Sequence, residues 1–218
     1  MWSHDRSLGL FLVLLIGIVF FLLPLARYQP AANLVATVAL TLLLLSGSLA
    51  VIAPGWVRGL VFLVALTTIA LRWTALLVAG DVLLVVGAGA MILAFALLLA
   101  LLLAAVYRAG PVTRYRLYGA VAAYGLLGLL WAYLYLLIEL VVPGALHFPD
   151  PIGVDPSLQR IQADVVYFSF ATLTTLGYGD IVPVHAFARS MAILEALTGQ
   201  LFIATLIAQL VSQRGRPR

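Results

Sequence analysis

The residues with the clearest chemical potential are Thr174-Thr175-Leu176-Gly177-Tyr178-Gly179-Asp180. A monovalent cation gives up its water only when other oxygens replace that water at similar distance and number. Backbone carbonyls can do this when successive ones point toward a common axis, but an ordinary extended strand alternates them. Gly177 and Gly179 can relieve that alternation, because glycine enters φ > 0 at little steric cost. They interleave with Leu176 and Tyr178, and Thr175 offers a hydroxyl at the inner end. The expected ligands are therefore backbone oxygens of Thr175, Leu176, Gly177 and Tyr178, with Gly179 setting the outer turn. One such strand cannot surround an ion, so four copies are expected around one axis.

The elements that must position this segment are membrane elements. Of the 218 residues, 65% are hydrophobic and 9% charged, and mean hydropathy is +1.17. A soluble domain carries about a quarter charged residues. Cysteine is absent, which excludes disulfides and thiolate metal sites, and the net charge of +4 comes from arginines scattered between apolar runs. Nucleic acid is not an expected partner; lipid is. All basic residues are arginine, which suggests a bacterial coding bias.

Six spans of about twenty residues can be read: Leu8–Ala26, Ala31–Ala53, Val57–Ala79, Val82–Tyr107, Leu117–Val142 and His185–Ser212. Between the last two lies a shorter run, Asp164–Leu173, read as a re-entrant helix. Pro143–Gln162 is read as an exposed turret. The expected fold is all-α and membrane-integral, with a four-helix domain over 1–110 and a pore domain over 111–218. Arg6, Arg58, Arg108, Arg114, Arg116, Arg214, Arg216 and Arg218 fall on one side of this arrangement. Arg27, Arg160 and Arg189 fall opposite, with Asp81, Asp150, Asp155, Asp164 and Asp180. The positive-inside rule then puts both termini in the cytoplasm and the glycine-rich segment outward. The first span is too long for a signal peptide and lacks a small-x-small cleavage site.

The Thr175–Gly179 run, its preceding helix and the flanking spans resemble the pore module of the potassium channel superfamily, over roughly Leu117–Gln213. The usual filter is T-V-G-Y-G, often followed by Asp; here Leu176 stands for Val. The resemblance implies a homotetramer passing K+ down its gradient across the cell membrane, with no organic cofactor, no substrate and no enzymatic step. It implies that Tyr167 and Phe168 are a filter-supporting aromatic pair, with Tyr167 able to reach Asp180, and that Thr174 and Asp180 flank the filter. The pore-helix glutamate of some relatives is Ala171 here. Glu195 is expected to face the pore helix near Thr172 in compensation, and Glu139 to tie the fifth span to the outer mouth. Ala196, Gln200, Ile203, Ile207 and Val211 recur at helical spacing and by register line the inner cavity. Gly199 is either a hinge or a close-packing contact. His147 and His185 are candidate proton sensors or plain exposed histidines.

Steep voltage sensing needs several arginines on one span. The fourth span has none, and Arg72 in the third is alone, expected to pair with Asp81 or to snorkel. Ser46, Gly47, Ser48, Gly87 and Gly89 are expected to permit close helix packing. Little chain follows the sixth span, so no aqueous regulatory domain is expected there. Two alternatives remain: a non-selective cation pore, and a protease built on Gly177-Tyr178-Gly179-Asp180. The latter needs a second aspartate sharing a proton with Asp180, and Asp81 is the candidate.

Overall fold

The computed structural model describes residues 2–22, 32–50, 53–78, 80–107, 113–149 and 158–214. Its helices are α1 (Trp2–Gly17, continuing as a π-helical turn Ile18–Leu22), α2 (Ala32–Ala50), α3 (Gly55–Leu77) and α4 (Asp81–Val106). Then follow α5 (Arg114–Val141), α6 (Leu158–Leu173) and α7 (Ala186–Arg214). A two-stranded antiparallel pair joins β1 (Leu146–His147) to β2 (Val182–Pro183), with Leu146 opposite Pro183 and His147 opposite Val182.

Among the described residues, four helices are long and apolar enough to cross a membrane: α3, α4, α5 and the Ala186–Gln209 part of α7. Within the described residues, the apolar stretches of α1 and α2 are shorter. The chain is a multi-pass membrane protein. Local signals explain several boundaries. Thr113 caps α5, its hydroxyl accepting from the Arg116 amide at 3.3 Å, as N-cap threonines do. Asp81 stands in the first turn of α4, where a negative charge meets the positive helix end. His185 Nδ1 accepts from the Phe187 amide at the start of α7.

The centre of the molecule is α5. Its Leu126, Leu129, Ala132 and Tyr135 are fully buried, and it packs against α1, α4 and α6. Glycines make that approach possible. A Cβ at Gly125 would strike Leu15 of α1, and one at Gly128 would meet the Phe170 ring of α6 at 2.6 Å. On α2, a Cβ at Gly47 would meet Phe11 and Leu98 at 3.0 Å.

Several expectations need correction. The helix before the glycine-rich segment begins at Leu158 rather than Asp164, so the turret is shorter than expected. Leu158-Gln159-Arg160-Ile161-Gln162-Ala163 holds good helix formers and neither Gly nor Pro, and polarity alone does not stop a helix. Nothing lies within 4 Å of a Cβ at Gly87 or Gly89, so these are not close-packing positions. Ser46 and Ser48 donate to carbonyls of their own helix, at Leu43 and Leu45. Arg27, Arg108, Asp150, Pro151, Asp155, Pro156, Arg216 and Arg218 lie outside the described residues.

Candidate functional site

The site hangs between the end of α6 and the start of α7. The helix unwinds through Thr174, whose amide donates to Phe170 O at 3.1 Å and whose hydroxyl donates to the same oxygen at 2.7 Å. The Leu176 and Gly177 amides both turn back to Ala171 O, at 2.8 and 3.2 Å. These bonds hold the start of the glycine-rich segment against the helix end.

Beyond them the backbone takes left-handed values at every second residue: Thr175 at φ 57°, Gly177 at 59° and Gly179 at 79°. The glycines adopt these angles freely. Thr175 does so at a cost of about 1–2 kcal/mol, and its position was missed by reading the glycines alone. Gln200 of α7 donates from Nε2 to Thr175 Oγ1 at 3.2 Å, and the Thr175 hydroxyl donates to Thr174 O at 2.7 Å. The inner end of the segment is therefore fixed by the helix that follows it.

At the outer end, the Tyr167 hydroxyl donates to Asp180 Oδ2 at 2.8 Å, as the sequence suggested. Its ring lies parallel to that of Tyr178, 6.4 Å between centroids. Phe168 takes another direction. It is buried against Tyr135 of α5, centroids 4.9 Å apart, so within one chain only Tyr167 of the aromatic pair reaches the filter. Residues 181–185 return to α5 through the β pair and through the Val184 and His185 amides, which donate to Ala145 O. Glu139 braces the facing turn, accepting from the Gly144 amide at 2.7 Å and the Leu146 amide at 3.0 Å. Arg189 Nε donates to Pro183 O at 3.0 Å.

Behind the glycine-rich segment, Glu195 of α7 is fully buried. It does face α6, but at Ser169, one turn before Thr172. Ser169 Oγ lies 2.6 Å from Glu195 Oε1 and 2.7 Å from Gly128 O, and the Tyr135 hydroxyl donates to Glu195 Oε2 at 2.7 Å. One hydroxyl proton on Ser169 cannot serve two acceptors at once. A proton held on Glu195 would let Ser169 accept from the carboxyl while donating to Gly128 O. Ser169 and Tyr135 were not singled out from sequence. A serine in an apolar helix was the available signal; its partners follow only from the rotation of three helices.

Gly199 is a packing contact. A Cβ there would run into the Leu173 carbonyl oxygen at the end of α6, and the Tyr124 hydroxyl donates to that same oxygen at 3.3 Å. Further along α7, Gln200, Ile203, Ile207 and Val211 are exposed in the single chain. They share one face by their spacing. No three or more His, Cys, Asp or Glu cluster among the described residues in a way that holds a metal. Arg72 does not pair with Asp81. Its Nη1 donates to the Tyr133 hydroxyl at 3.1 Å and its Nη2 to Gln162 Oε1 at 3.5 Å.

The ion channel family matches residues 160–213, which hold most of α6, the glycine-rich segment and nearly all of α7. Protein LctB of Bacillus caldotenax is 31% identical over 81 residues, 37% of this chain and 59% of that protein. The inward rectifier potassium channel Kirbac3.1 of Paramagnetospirillum magnetotacticum is 35% identical over 54 residues, 25% of this chain and 18% of its own. The voltage-gated potassium channel Kch of Escherichia coli is 39% identical over 62 residues, 28% and 14% respectively. These matches span between 14% and 59% of the relatives' lengths. No solved structure matches the chain. Residues 160–213 carry an ion-channel sequence, and the chain's similarities lie with the potassium channel superfamily.

Proposed function

We propose that this protein is a homotetrameric, potassium-selective channel of the cell membrane. Dehydrated K+ passes down its electrochemical gradient along the backbone carbonyls of Thr175, Leu176, Gly177 and Tyr178, joined by the Thr175 hydroxyl at the inner end. The observation that carries this reading is the left-handed backbone at Thr175, Gly177 and Gly179. Alternating the hand of successive residues is what lets consecutive carbonyls face one way. In one chain Leu176 and Tyr178 stay 56% and 69% exposed, a state that neighbouring copies around a shared axis would relieve. Gln200, Ile203, Ile207 and Val211 then line the inner cavity, while Gly179, Asp180, Tyr167, Phe168, Thr174, Glu195 and Glu139 support the filter.

In this reading α1 and α2 complete six spans, α6 is re-entrant, and both termini face the cytoplasm of a bacterial cell. One arginine in a span moves too little charge for steep voltage gating, since each charge is worth about 2.3 kcal/mol per 100 mV. Chemistry at Asp180 is disfavoured because its described hydrogen-bond partner is Tyr167, not a second aspartate.

Reversal potentials in liposomes under potassium/sodium bi-ionic conditions test the proposal. A reversal near the potassium equilibrium potential, lost in Gly177→Asp, is expected. A reversal near zero with intact current identifies a non-selective cation pore instead.

A further inference from the structure

Arg72 sits about 8 Å before the end of α3, at a rise of 1.5 Å per residue. A guanidinium carries five N–H donors, no acceptor and a permanent charge. Both partners of Arg72, Tyr133 and Gln162, are neutral, and the Gln162 contact is long. Nε is buried with no partner at all. Among the described residues no carboxylate pairs with this side chain. Asp81, which opens the facing helix α4, is exposed and makes no bond to it. A lone charge within an apolar helix is unfavourable unless a counter-charge comes to it.

Space for one exists. A cavity of about 80 Å³ adjoins Arg72, between α3, α4, α5 and the first turns of α6, with Thr37 of α2 also on its wall. A water needs roughly 10–15 Å³ on this measure, so the cavity holds several waters or one tetrahedral oxyanion. The polar groups on its wall are Arg72, Thr37, Tyr133 and Gln162; most of the rest is aliphatic, with Leu83 and Leu84 among it. The wall carries donors and one positive charge, and no acid. It also lies near the end of α3 and the start of α4, two helices long and apolar enough to cross a membrane.

We propose that this cavity is a binding site for a phosphate group, held bidentately by Arg72 and supplied either by a lipid headgroup or by free phosphate. The fork of the guanidinium suits a tetrahedral oxyanion, and the free Nε–H becomes one of the donors. Because Gln162 belongs to α6, an occupied site would tie the peripheral helices to the helix that carries the filter. The inference is independent of ion conduction.

The full chain, purified and delipidated in an uncharged detergent, is melted with phosphatidylglycerol, with a diacylglycerol of the same acyl chains, or with inorganic phosphate at fixed ionic strength. Phosphatidylglycerol is expected to raise Tm where diacylglycerol does not. Arg72→Gln is expected to weaken the apparent affinity about tenfold or more, the scale of one charge-assisted bond. Gly87→Leu fills the cavity while leaving Arg72 intact, since a Cβ at Gly87 meets nothing within 4 Å. It is expected to lose the effect too, and it carries the test if Arg72→Gln does not fold. An equal effect from inorganic phosphate makes the ligand the free ion; an effect from the lipid alone makes it the headgroup. Equal stabilisation of wild type and variants, or no stabilisation by either phosphate probe, overturns the site.

Discussion

The two halves of this molecule use polar side chains in different proportions. In residues 2–107 the hydroxyls mostly return to their own helix: Thr41 to Thr37 O, Thr67 to Val64 O and Thr74 to Leu71 O. Trp73 with Thr41, and Thr68 with Ala90 O, are exceptions that cross between helices. From Arg114 onward Ser190, Thr198 and Thr205 still bond within their own helix, but tyrosines, Ser169, Gln200 and the two glutamates reach to other segments. Tyr135, Ser169 and Glu195 join three helices, Tyr167 reaches Asp180, Gln200 reaches Thr175, and Glu139 holds the turn facing the filter exit. A hydroxyl bonded to its own helix leaves neighbouring helices free to slide, whereas one bonded across fixes their register. The cross-helix bonds after Arg114 hold one arrangement of helices, which the proposed function would require. The peripheral half is held by shape and apolar contact.

Substitutions at the buried carboxyl probe this contrast most severely. Glu195→Ala strands the Tyr135 hydroxyl and leaves Ser169 with Gly128 O alone, and a loss of about 1–3 kcal/mol is expected from the unsatisfied buried group. Glu195→Gln, whose amide can donate to Ser169 and accept from Tyr135, should stay within about 1 kcal/mol of wild type. Detergent unfolding measures both; equal damage from the two would show that the hydrogen-bond pattern is not what matters.

Glycines sharpen the comparison at the next level. Gly199→Ala pushes a methyl into the Leu173 carbonyl, and overpacking of this kind costs about 1–3 kcal/mol. Gly89→Ala on α4 meets nothing and should gain up to about 1 kcal/mol of helix propensity. Thermal melts that move in opposite directions would bear this out, and a tolerated Gly199→Ala would remove the close approach of α7 to α6.

Tyr167→Phe removes one hydrogen bond to a charged acceptor. A net effect of about 1.5 kcal/mol corresponds to roughly a tenfold loss of potassium preference if all of it acts on the filter; bi-ionic reversal potentials read it. Ser46→Ala should be nearly silent, within about 0.5 kcal/mol, because it deletes only a bond within its own helix. A large loss there would blur the distinction between the halves.

What could be read from the sequence was local. The left-handed positions at Gly177 and Gly179 follow from residue type, whereas Tyr167 with Asp180 and the placing of Glu139 came from the resemblance to a known pore module. The Glu195 network could not be read, because it depends on how α5, α6 and α7 are rotated against one another. Arg72 was assigned the nearest acid in sequence, Asp81, yet its bonds reach Tyr133 and Gln162, far along the chain. The two-residue strands escaped notice because so short a run carries no alternation to detect. Thr175 at positive φ was hidden because its residue type disfavours that angle.

Under the proposed function, the left-handed backbone at Thr175, Gly177 and Gly179, more than any side chain, makes the cation site. Gly177 tests it most directly, since its φ is 59° and a Cβ there meets no atom within 4 Å of the single chain. Semisynthetic protein with D-alanine or L-alanine at this position, compared by bi-ionic reversal in liposomes, separates conformation from bulk. D-alanine accepts φ > 0, so potassium-selective reversal is expected to persist; L-alanine resists it by about 1–2 kcal/mol in each chain, and selectivity is expected to collapse. Wild-type selectivity with L-alanine would contradict the account.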